Sequence, residues 1–190
     1  HLDTPIDYDN LTAAGSMMGS GGMIVMDEDD CMVSVAKFYL DFSVEESCGK
    51  CSPCRIGNKR LHEMLEKITS GKGTVEDLDY LQNLSKVIKD TALCGLGQTS
   101  PNPVLSTLEH FYEEYLIHVK ERTCPAGRCK ELRLYSINPD LCTGCTACTK
   151  ACPVGAIEGE KRQPHIIHEE KCIRCGACYA KCKFTAINVQ

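Results

Sequence analysis

The chain has 190 residues and a formal net charge of −5, an acidic balance that argues against a protein that binds nucleic acid through phosphate contacts. Hydrophobic residues make up 43% of the chain, which predicts a folded globular protein, and no apolar run is long enough to span a bilayer. The chain begins at His1 without a methionine, which indicates a fragment of a longer polypeptide.

Cysteine is the most informative part of the composition, with 15 residues. Most of these cysteines lie in C-x-x-C runs, a spacing that suits metal or cluster binding better than separate disulfides. Because so many thiols would have to remain reduced, we expect a reducing compartment and therefore a cytoplasmic protein.

The first 28 residues combine a glycine-rich stretch, GSMMGSGG at 15–22, with the apolar residues Met23 to Met26. Neither a P-loop nor a complete G-x-G-x-x-G pattern is present, so a turn is favoured over a phosphate-binding loop. The apolar residues predict a short strand, and residues 1–28 are interpreted as the end of an upstream β-type domain.

Residues 29–122 have helical periodicity and predict a small bundle of four helices. The first helix is expected after the caps Asp29 and Asp30, and the third after a capping box formed by Thr74 and Asp77. The second and fourth helices are expected at about 55–69 and 103–122. The face of the first helix that points inward is predicted to carry Met32, Val35, Ala36 and Tyr39.

Residues 133–190 predict a different kind of domain, with short β-type pieces around a repeated cysteine run. The run C-x-x-C-x-x-C-x-x-x-C occurs twice, thirty residues apart, and is typical of bacterial ferredoxins with two [4Fe–4S] clusters. In such a module the fourth cysteine of each run ligates the other cluster, whereas structural zinc is disfavoured by the interlocked spacing. One site is therefore assigned to Cys142, Cys145, Cys148 and Cys182, and the other to Cys172, Cys175, Cys178 and Cys152.

The second run departs from the ferredoxin pattern after its last cysteine. Cys152 is followed by Pro153, as in the pattern, but Cys182 is followed by Lys183. This change is expected to alter the local turn and charge, and with them the reduction potential. The fold class predicted from both halves is α+β, with a helical bundle followed by a two-cluster ferredoxin-like domain.

A third run, ESCGKCSPCRIG, lies in the helical part and supplies Cys48, Cys51 and Cys54. Three thiolates occupy three corners of an iron–sulfur cube, so a fourth ligand is required. Cys94 in TALCGLGQ is the best candidate, and a zinc site made of four cysteines remains the alternative.

These segments carry a resemblance. The stretches GSGGMIVMDE, ESCGKCSPCRIG and TALCGLGQTSPNPV resemble the C-terminal half of the NADH-oxidising flavoprotein subunit of respiratory complex I. The appended ferredoxin module, joined through CPAGRC, resembles the beta subunit of NAD(P)-linked, often electron-bifurcating, multimeric [FeFe]-hydrogenases. The resemblance implies three [4Fe–4S] clusters, the first of them held by the helical run.

The same resemblance implies that FMN and NAD(P) bind to a part upstream of this chain, which therefore has no complete catalytic site. It implies partners in a hydrogenase complex, namely a catalytic iron–sulfur [FeFe] subunit and a small thioredoxin-like [2Fe–2S] subunit, with free ferredoxin as a further candidate. No nucleic acid or membrane partner is expected. The alternatives are a diaphorase-type subunit of an NAD-linked formate dehydrogenase and an interaction module with structural clusters.

Three cysteines remain outside these sites: Cys31, Cys124 and Cys129. Two of them enclose a short Pro- and Gly-containing loop whose spacing is near that of zinc knuckles, and His118 precedes this loop by six residues. A structural zinc site made of Cys31, His118, Cys124 and Cys129 is the favoured interpretation. Inert buried thiols and a disulfide between Cys124 and Cys129 are the alternatives.

A zinc site at this position would fix residues 123–132 as the joint, and as a candidate hinge, between the helical and ferredoxin domains. His110 is the reserve candidate for the histidine ligand. His165 and His168 flank an Ile-Ile pair and are expected to face solvent.

Overall fold

The computed structural model describes residues 3–189 and shows helices in the first part of the chain and short strands in the last. The α-helices are α1 Tyr8–Ala13, α2 Met32–Glu45, α3 Asn58–Thr69, α4 Val75–Thr91, α5 Gly95–Thr99, α6 Asn102–His110, α7 Tyr112–Leu116, α8 Ala147–Ala151 and α9 Ala177–Lys181. The strands are β1 Tyr135–Ile137, β2 Ile157–Glu158, β3 Ile166–Ile167 and β4 Ile187–Val189. The predicted α+β class is confirmed.

The helical part is held together by one aliphatic core in which α2, α3, α4 and α6 pack against one another. Its fully buried side chains include Leu40, Leu61, Leu65, Ile68, Leu81, Val104 and Tyr115. Leu132, beyond the last helix of this part, is also fully buried in that core. The segment that leads to the ferredoxin module is therefore packed on the helical bundle through an apolar side chain.

The predicted capping box at the start of α4 is present. The Thr74 N–H donates to Asp77 Oδ2 at 2.8 Å, and Lys67 Nζ of α3 lies 2.6 Å from the same oxygen. Burial of the Asp77 carboxylate opposes its ionisation, but the hydrogen bonds from Lys67 and Thr74 outweigh this and lower its pKa below the ordinary 3.8. This single carboxylate both caps α4 and ties it to α3.

Replacing Asp77 with asparagine should lower the free energy of unfolding by roughly 0.2–1 kcal/mol, because the amide oxygen can still accept from the Thr74 N–H but the charge that pairs with Lys67 is lost. A lowered folded pKa contributes stability that is complete above the unfolded value and is lost as pH falls through the folded one. The difference between wild type and Asp77→Asn should therefore be constant from pH 6 to pH 8 in urea unfolding. Asp79→Asn, an exposed change on the same helix, is the control and should have little effect.

Several details predicted for residues 1–122 were wrong. Met23 to Met26 form no strand; these residues are exposed, and within residues 3–189 no strand pairs with them. Val35 and Tyr39 are only partly buried, whereas Val33 and Leu40 point into the core of the bundle. The inward face of α2 is therefore rotated from the predicted one.

The cap of α2 was also misassigned. Cys31, not Asp29 or Asp30, occupies the N-cap position, and its Sγ accepts from the Ser34 N–H at 3.4 Å. Asp30 instead forms an ion pair with Arg128 at 3.4 Å, because the two acidic residues face the loop between Cys124 and Cys129.

The predicted fourth helix is interrupted. It breaks at Phe111, continues as α7 and ends in a π-helical turn at Ile117–Glu121, which Arg122 closes in the left-handed conformation. His118 lies within this turn and is fully buried.

The ferredoxin module has the internal symmetry that the repeat predicted. β1 pairs antiparallel with β4, and β2 pairs antiparallel with β3, so each half of the repeat supplies one strand to each sheet. Helices α8 and α9 pack together between the two cysteine loops. No helix within residues 3–189 combines the length and the apolar character needed to cross a membrane.

Candidate metal centres

Two cavities lie in the ferredoxin module, and each is lined by four cysteines. One, partly open to solvent, is lined by Cys152, Cys172, Cys175 and Cys178. The other is lined by Cys142, Cys145, Cys148 and Cys182. In both, three cysteines come from one run and the fourth from the other, which is the arrangement that two interlocked clusters require.

The walls of these cavities suit a group that binds thiolates. Burial raises the pKa of Cys148 and Cys178, which lie in α8 and α9, so these sulfurs need a cationic partner to ionise. Backbone N–H groups point at other sulfurs, since Ala156 N donates to Cys152 Sγ at 3.2 Å and Arg174 N to Cys172 Sγ at 3.4 Å. Four converging cysteines with amide donors fit a [4Fe–4S] cluster in each cavity.

The helical run is built around a π-helical turn at Pro53–Gly57, which holds Cys54 in the interior of the bundle. Ser47 Oγ lies 3.2 Å from Cys54 Sγ, and Asn58 Nδ2 donates to the same sulfur at 3.5 Å. Asn58 is itself fully buried and accepts from Ser100 Oγ at 2.9 Å. Ser100, in the segment after Cys94, thus holds Asn58 in place, and Asn58 in turn donates to Cys54 Sγ.

The loop of Cys94 lies directly against this run. The Leu93 N–H, followed by that of Cys54, lowers the pKa of the Cys51 thiol. A Cβ atom on Gly97 would lie 2.7 Å from Ala92 Cβ and 3.2 Å from Cys54 Cβ, so glycine permits this close approach. Cys48 and Cys94 are exposed, which places the site at the surface of the bundle and suits a cluster larger than a single ion.

The remaining three cysteines and His118 meet in one buried group. Cys31, His118, Cys124 and Cys129 are all buried, and their candidate ligand atoms lie within 4.8 Å of one another. Cys31 comes from the start of α2 and His118 from the turn after α7, while the two other cysteines bracket a loop closed by a Gly127 N–H to Cys124 C=O hydrogen bond of 2.8 Å. Residues 98 positions apart in the chain therefore supply one site.

The distances among Cys31, His118 and Cys129 are those of a tetrahedral ion site. Cys31 Sγ lies 3.8 Å from Cys129 Sγ, and His118 Nε2 lies 3.4 Å from Cys31 Sγ and 3.5 Å from Cys129 Sγ. Tetrahedral zinc with bonds of about 2.3 Å to sulfur and about 2.0 Å to nitrogen separates two sulfurs by about 3.8 Å and sulfur from nitrogen by about 3.5 Å. The residues therefore fit a closed Cys₃His zinc site.

The outer contacts of the group also suit a metal ligand. His118 Nδ1 lies 2.7 Å from the carbonyl oxygen of Glu114, which leaves Nε2 free to face the sulfurs, as in metal-binding histidines. Burial disfavours the charged imidazole, but hydrogen bonds to Cys124 and Cys31 outweigh it and raise the pKa of His118 to about 10. Hydrogen bonds from Cys129 and Cys31 lower the pKa of the Cys124 thiol. Hydrogen bonds with Cys124 and Cys31 raise the pKa of the Cys129 thiol, so the three thiols share their protons unequally around the His118 ring.

Three further histidines, His110, His165 and His168, differ in how far they are exposed to solvent. His110, the reserve ligand, is exposed on α6. The prediction that His165 faces solvent was wrong, since it is 2% exposed and lines the cavity of Cys142, Cys145, Cys148 and Cys182. His168 is half-buried and lies 3.1 Å from a Glu158 carboxylate oxygen. A signal for His165 was available, because the thirty-residue repeat aligns it with Tyr135 at the start of β1.

Two family models match the chain, one on each side of the joint at residues 123–132. Residues 34–118 match the NADH-ubiquinone oxidoreductase-F iron-sulfur binding region, and residues 134–183 match the 4Fe-4S dicluster domain. The chain joins these two iron–sulfur domains. The first match contains the helical cysteine run with Cys94, and the second contains both ferredoxin runs, so the predicted resemblance is confirmed. Cys31, Cys124 and Cys129 lie outside both matched regions.

Curated relatives contain the same regions within longer chains. The NADP-reducing hydrogenase subunit HndC of Solidesulfovibrio fructosivorans is 63% identical over 98% of this chain and 38% of its own length. A component of the NADH-quinone oxidoreductase of Mycobacterium tuberculosis H37Rv is 42% identical over 66% of this chain and 28% of its own length. The chain thus spans well under half of these relatives.

Among solved structures, an H2-reduced NAD+-reducing [NiFe]-hydrogenase aligns with a TM-score of 0.49 and 30% identity. The alignment covers 50% of this chain and 16% of that one.

Proposed function

We propose that the chain is the electron-transfer part of an NAD(P)H-linked hydrogenase subunit and binds three [4Fe–4S] clusters. The observation that carries this proposal is the pair of four-cysteine cavities, each completed by a cysteine from the opposite run. The similarity to HndC supports the hydrogenase type, in preference to a formate dehydrogenase subunit. Cys48, Cys51, Cys54 and Cys94 are the proposed ligands of the third cluster, in the helical domain.

A [4Fe–4S] cluster supplies reversible one-electron transfer. The side chains of this protein hold the ligand sulfurs in place, shield them from water and donate hydrogen bonds to them. Cys54, Cys148 and Cys178 are buried, and hydrogen bonds from Asn58 and from backbone N–H groups stabilise the sulfurs. No residue of the three sites is assigned a proton-transfer or nucleophilic role.

The proposal extends to the parts that lie outside this chain. FMN and NAD(P)H would bind upstream, and electrons would pass from there through the helical domain, residues 29–122, to the ferredoxin domain, residues 133–190. A catalytic [FeFe] subunit, a thioredoxin-like [2Fe–2S] subunit and free ferredoxin are the proposed partners, and electron bifurcation is the proposed mode of the parent complex.

The proposal also includes a structural zinc ion held by Cys31, His118, Cys124 and Cys129, with residues 123–132 as the joint between the domains. The joint is tied to both sides. Arg128 Nε donates to the carbonyl oxygen of Asp29 at 2.7 Å, and Arg174 of the ferredoxin module donates to the carbonyl oxygen of Glu131. A structural zinc would fix the loop between Cys124 and Cys129 to the start of α2. Any rotation between the helical and ferredoxin domains would then take place at residues outside the zinc site.

Elemental analysis of anaerobically purified protein should give about twelve irons, an equal amount of acid-labile sulfide and about one zinc per chain. Reduction with dithionite and reoxidation should be reversible, with EPR signals in the reduced state. Twelve irons that cannot be reduced reversibly would favour an interaction module with structural clusters. About eight irons with additional zinc would replace the helical cluster by a four-cysteine zinc site.

A further inference from the structure

The two ferredoxin cavities are related by the thirty-residue repeat but differ in chemistry. At three aligned positions, the cavity completed by Cys152 carries Tyr135, Val154 and Ile173, and the cavity completed by Cys182 carries His165, Phe184 and Thr143. Imidazole and hydroxyl groups thus line one cavity where a phenol and an aliphatic side chain line the other. We refer to the cavity of Cys142, Cys145, Cys148 and Cys182 as the histidine cavity.

His165 is the polar group of the histidine cavity that the fold leaves without a conventional partner. The residue is 2% exposed, and within residues 3–189 its Nε2 is buried with no hydrogen-bond partner. Its Nδ1 lies 4.0 Å from Cys142 Sγ, the nearest sulfur contact of the ring. Buried polar nitrogens are almost always satisfied, so a buried ring whose Nδ1 faces a cysteine sulfur indicates a hydrogen-bond partner for Nδ1 at the sulfurs of this cavity.

The backbone fixes the position of this ring. Gly159 has a φ of +157° and packs on the imidazole, since a Cβ there would lie 2.7 Å from His165 Cγ and 2.8 Å from Cδ2. The next residues form β3, whose Ile167 pairs with Ile157 of β2. A side chain held between a glycine backbone and a paired strand cannot turn away from the cavity without displacing them.

We propose that His165 Nδ1 donates a hydrogen bond to the Cys142 sulfur in the histidine cavity and thereby raises the reduction potential of the cluster held there. This inference rests on the proposed function, because it requires a cluster in each cavity. The step concerned adds one electron, supplied by an external reductant, and moves no proton. Reduction increases the negative charge on the sulfurs, so a hydrogen-bond donor stabilises the reduced form more than the oxidised one. His165 is not a ligand of the cluster; it acts on the cluster through the cysteine sulfur that it contacts.

The test is a potentiometric EPR titration of the anaerobically purified full chain with dithionite. His165→Phe keeps a planar ring but removes the donor, and it should make reduction at one cluster about tenfold less favourable, which is about 59 mV for a one-electron couple. His165→Asn places an amide N–H near the position of Nδ1 and should restore most of the shift. His168→Gln, which removes a half-buried imidazole outside both cavities, should leave all potentials unchanged.

The iron content of each variant separates the possible failures. Unchanged potentials in His165→Phe with full iron content would overturn the inference, whereas wild-type protein without reducible clusters would refute the proposed function itself. If His165→Phe loses a cluster, wild-type protein labelled with ¹⁵N-histidine decides the question by pulsed EPR. Coupling of a histidine nitrogen to a reduced cluster would support the inference, and its absence would overturn it.

Discussion

Replacing Cys124 with serine should release zinc and lower the free energy of unfolding by roughly 3–5 kcal/mol, the cost of leaving buried charged partners uncompensated. The effect should be large because the four side chains come from three separate parts of the chain and all are buried. Structural zinc also contributes its binding free energy to folding, so its loss affects the whole joint. For a chain of this size the expected decrease in Tm is roughly 6–20 °C.

The measurement is zinc and iron content together with thermal unfolding, on protein purified without oxygen. Iron content should stay at the wild-type value, because Cys124 does not line either ferredoxin cavity. A second variant, His118→Ala, should lose zinc in the same way, and His110→Ala is its matched control, since His110 is exposed on α6 while His118 is fully buried. Wild-type protein with no zinc, or a Cys124→Ser variant with unchanged Tm, would make these cysteines ordinary buried thiols.

The second large effect concerns the interlocked ferredoxin sites. Replacing Cys182 with alanine should remove the cluster bound by the first run, Cys142, Cys145 and Cys148, and leave the cluster of its own run in place. The reason is that Cys182 lines the cavity of the first run, whereas Cys152 lines that of the second. About four of the twelve expected irons per chain should be lost.

Double variants distinguish this arrangement from two independent runs. Cys145→Ala combined with Cys182→Ala should lose about four irons, because both changes affect one site, whereas Cys145→Ala with Cys152→Ala should lose about eight. Two independent four-cysteine runs predict the reverse. Counting irons on anaerobically reconstituted protein therefore decides the ligand assignment, and loss of EPR intensity in the same variants checks it.

The sequence by itself determined the domain types and the grouping of the cysteines. The C-x-x-C runs and their repeat required no tertiary information, because the spacing places three thiols in a single loop, as in bacterial ferredoxins. The capping box of Thr74 and Asp77 was equally predictable, since a helix start is decided by residues three positions apart. Features of this kind depend only on the number of residues between the interacting side chains.

The grouping of Cys31 with His118 was only a hypothesis from the sequence, and the fold brings the two together across 87 positions. The proximity depends on the break at Phe111 and the π-helical turn at Ile117–Glu121, which a regular helix through 103–122 did not anticipate. Periodicity describes an average helix, whereas the direction of one buried side chain depends on irregular turns.

His165 was misplaced for a related physical reason. The residues next to His165 form no local pattern that separates an exposed from a buried position, and only the alignment with Tyr135 through the repeat offered a signal. Its burial depends on Gly159 packing against its ring. The pairing of β2 with β3 brings these two residues together, and that pairing forms only when the two halves of the repeat fold against each other. Long-range packing therefore decided which polar group lines the cavity and brought in the fourth cysteine, while local spacing decided which three cysteines of one run line it.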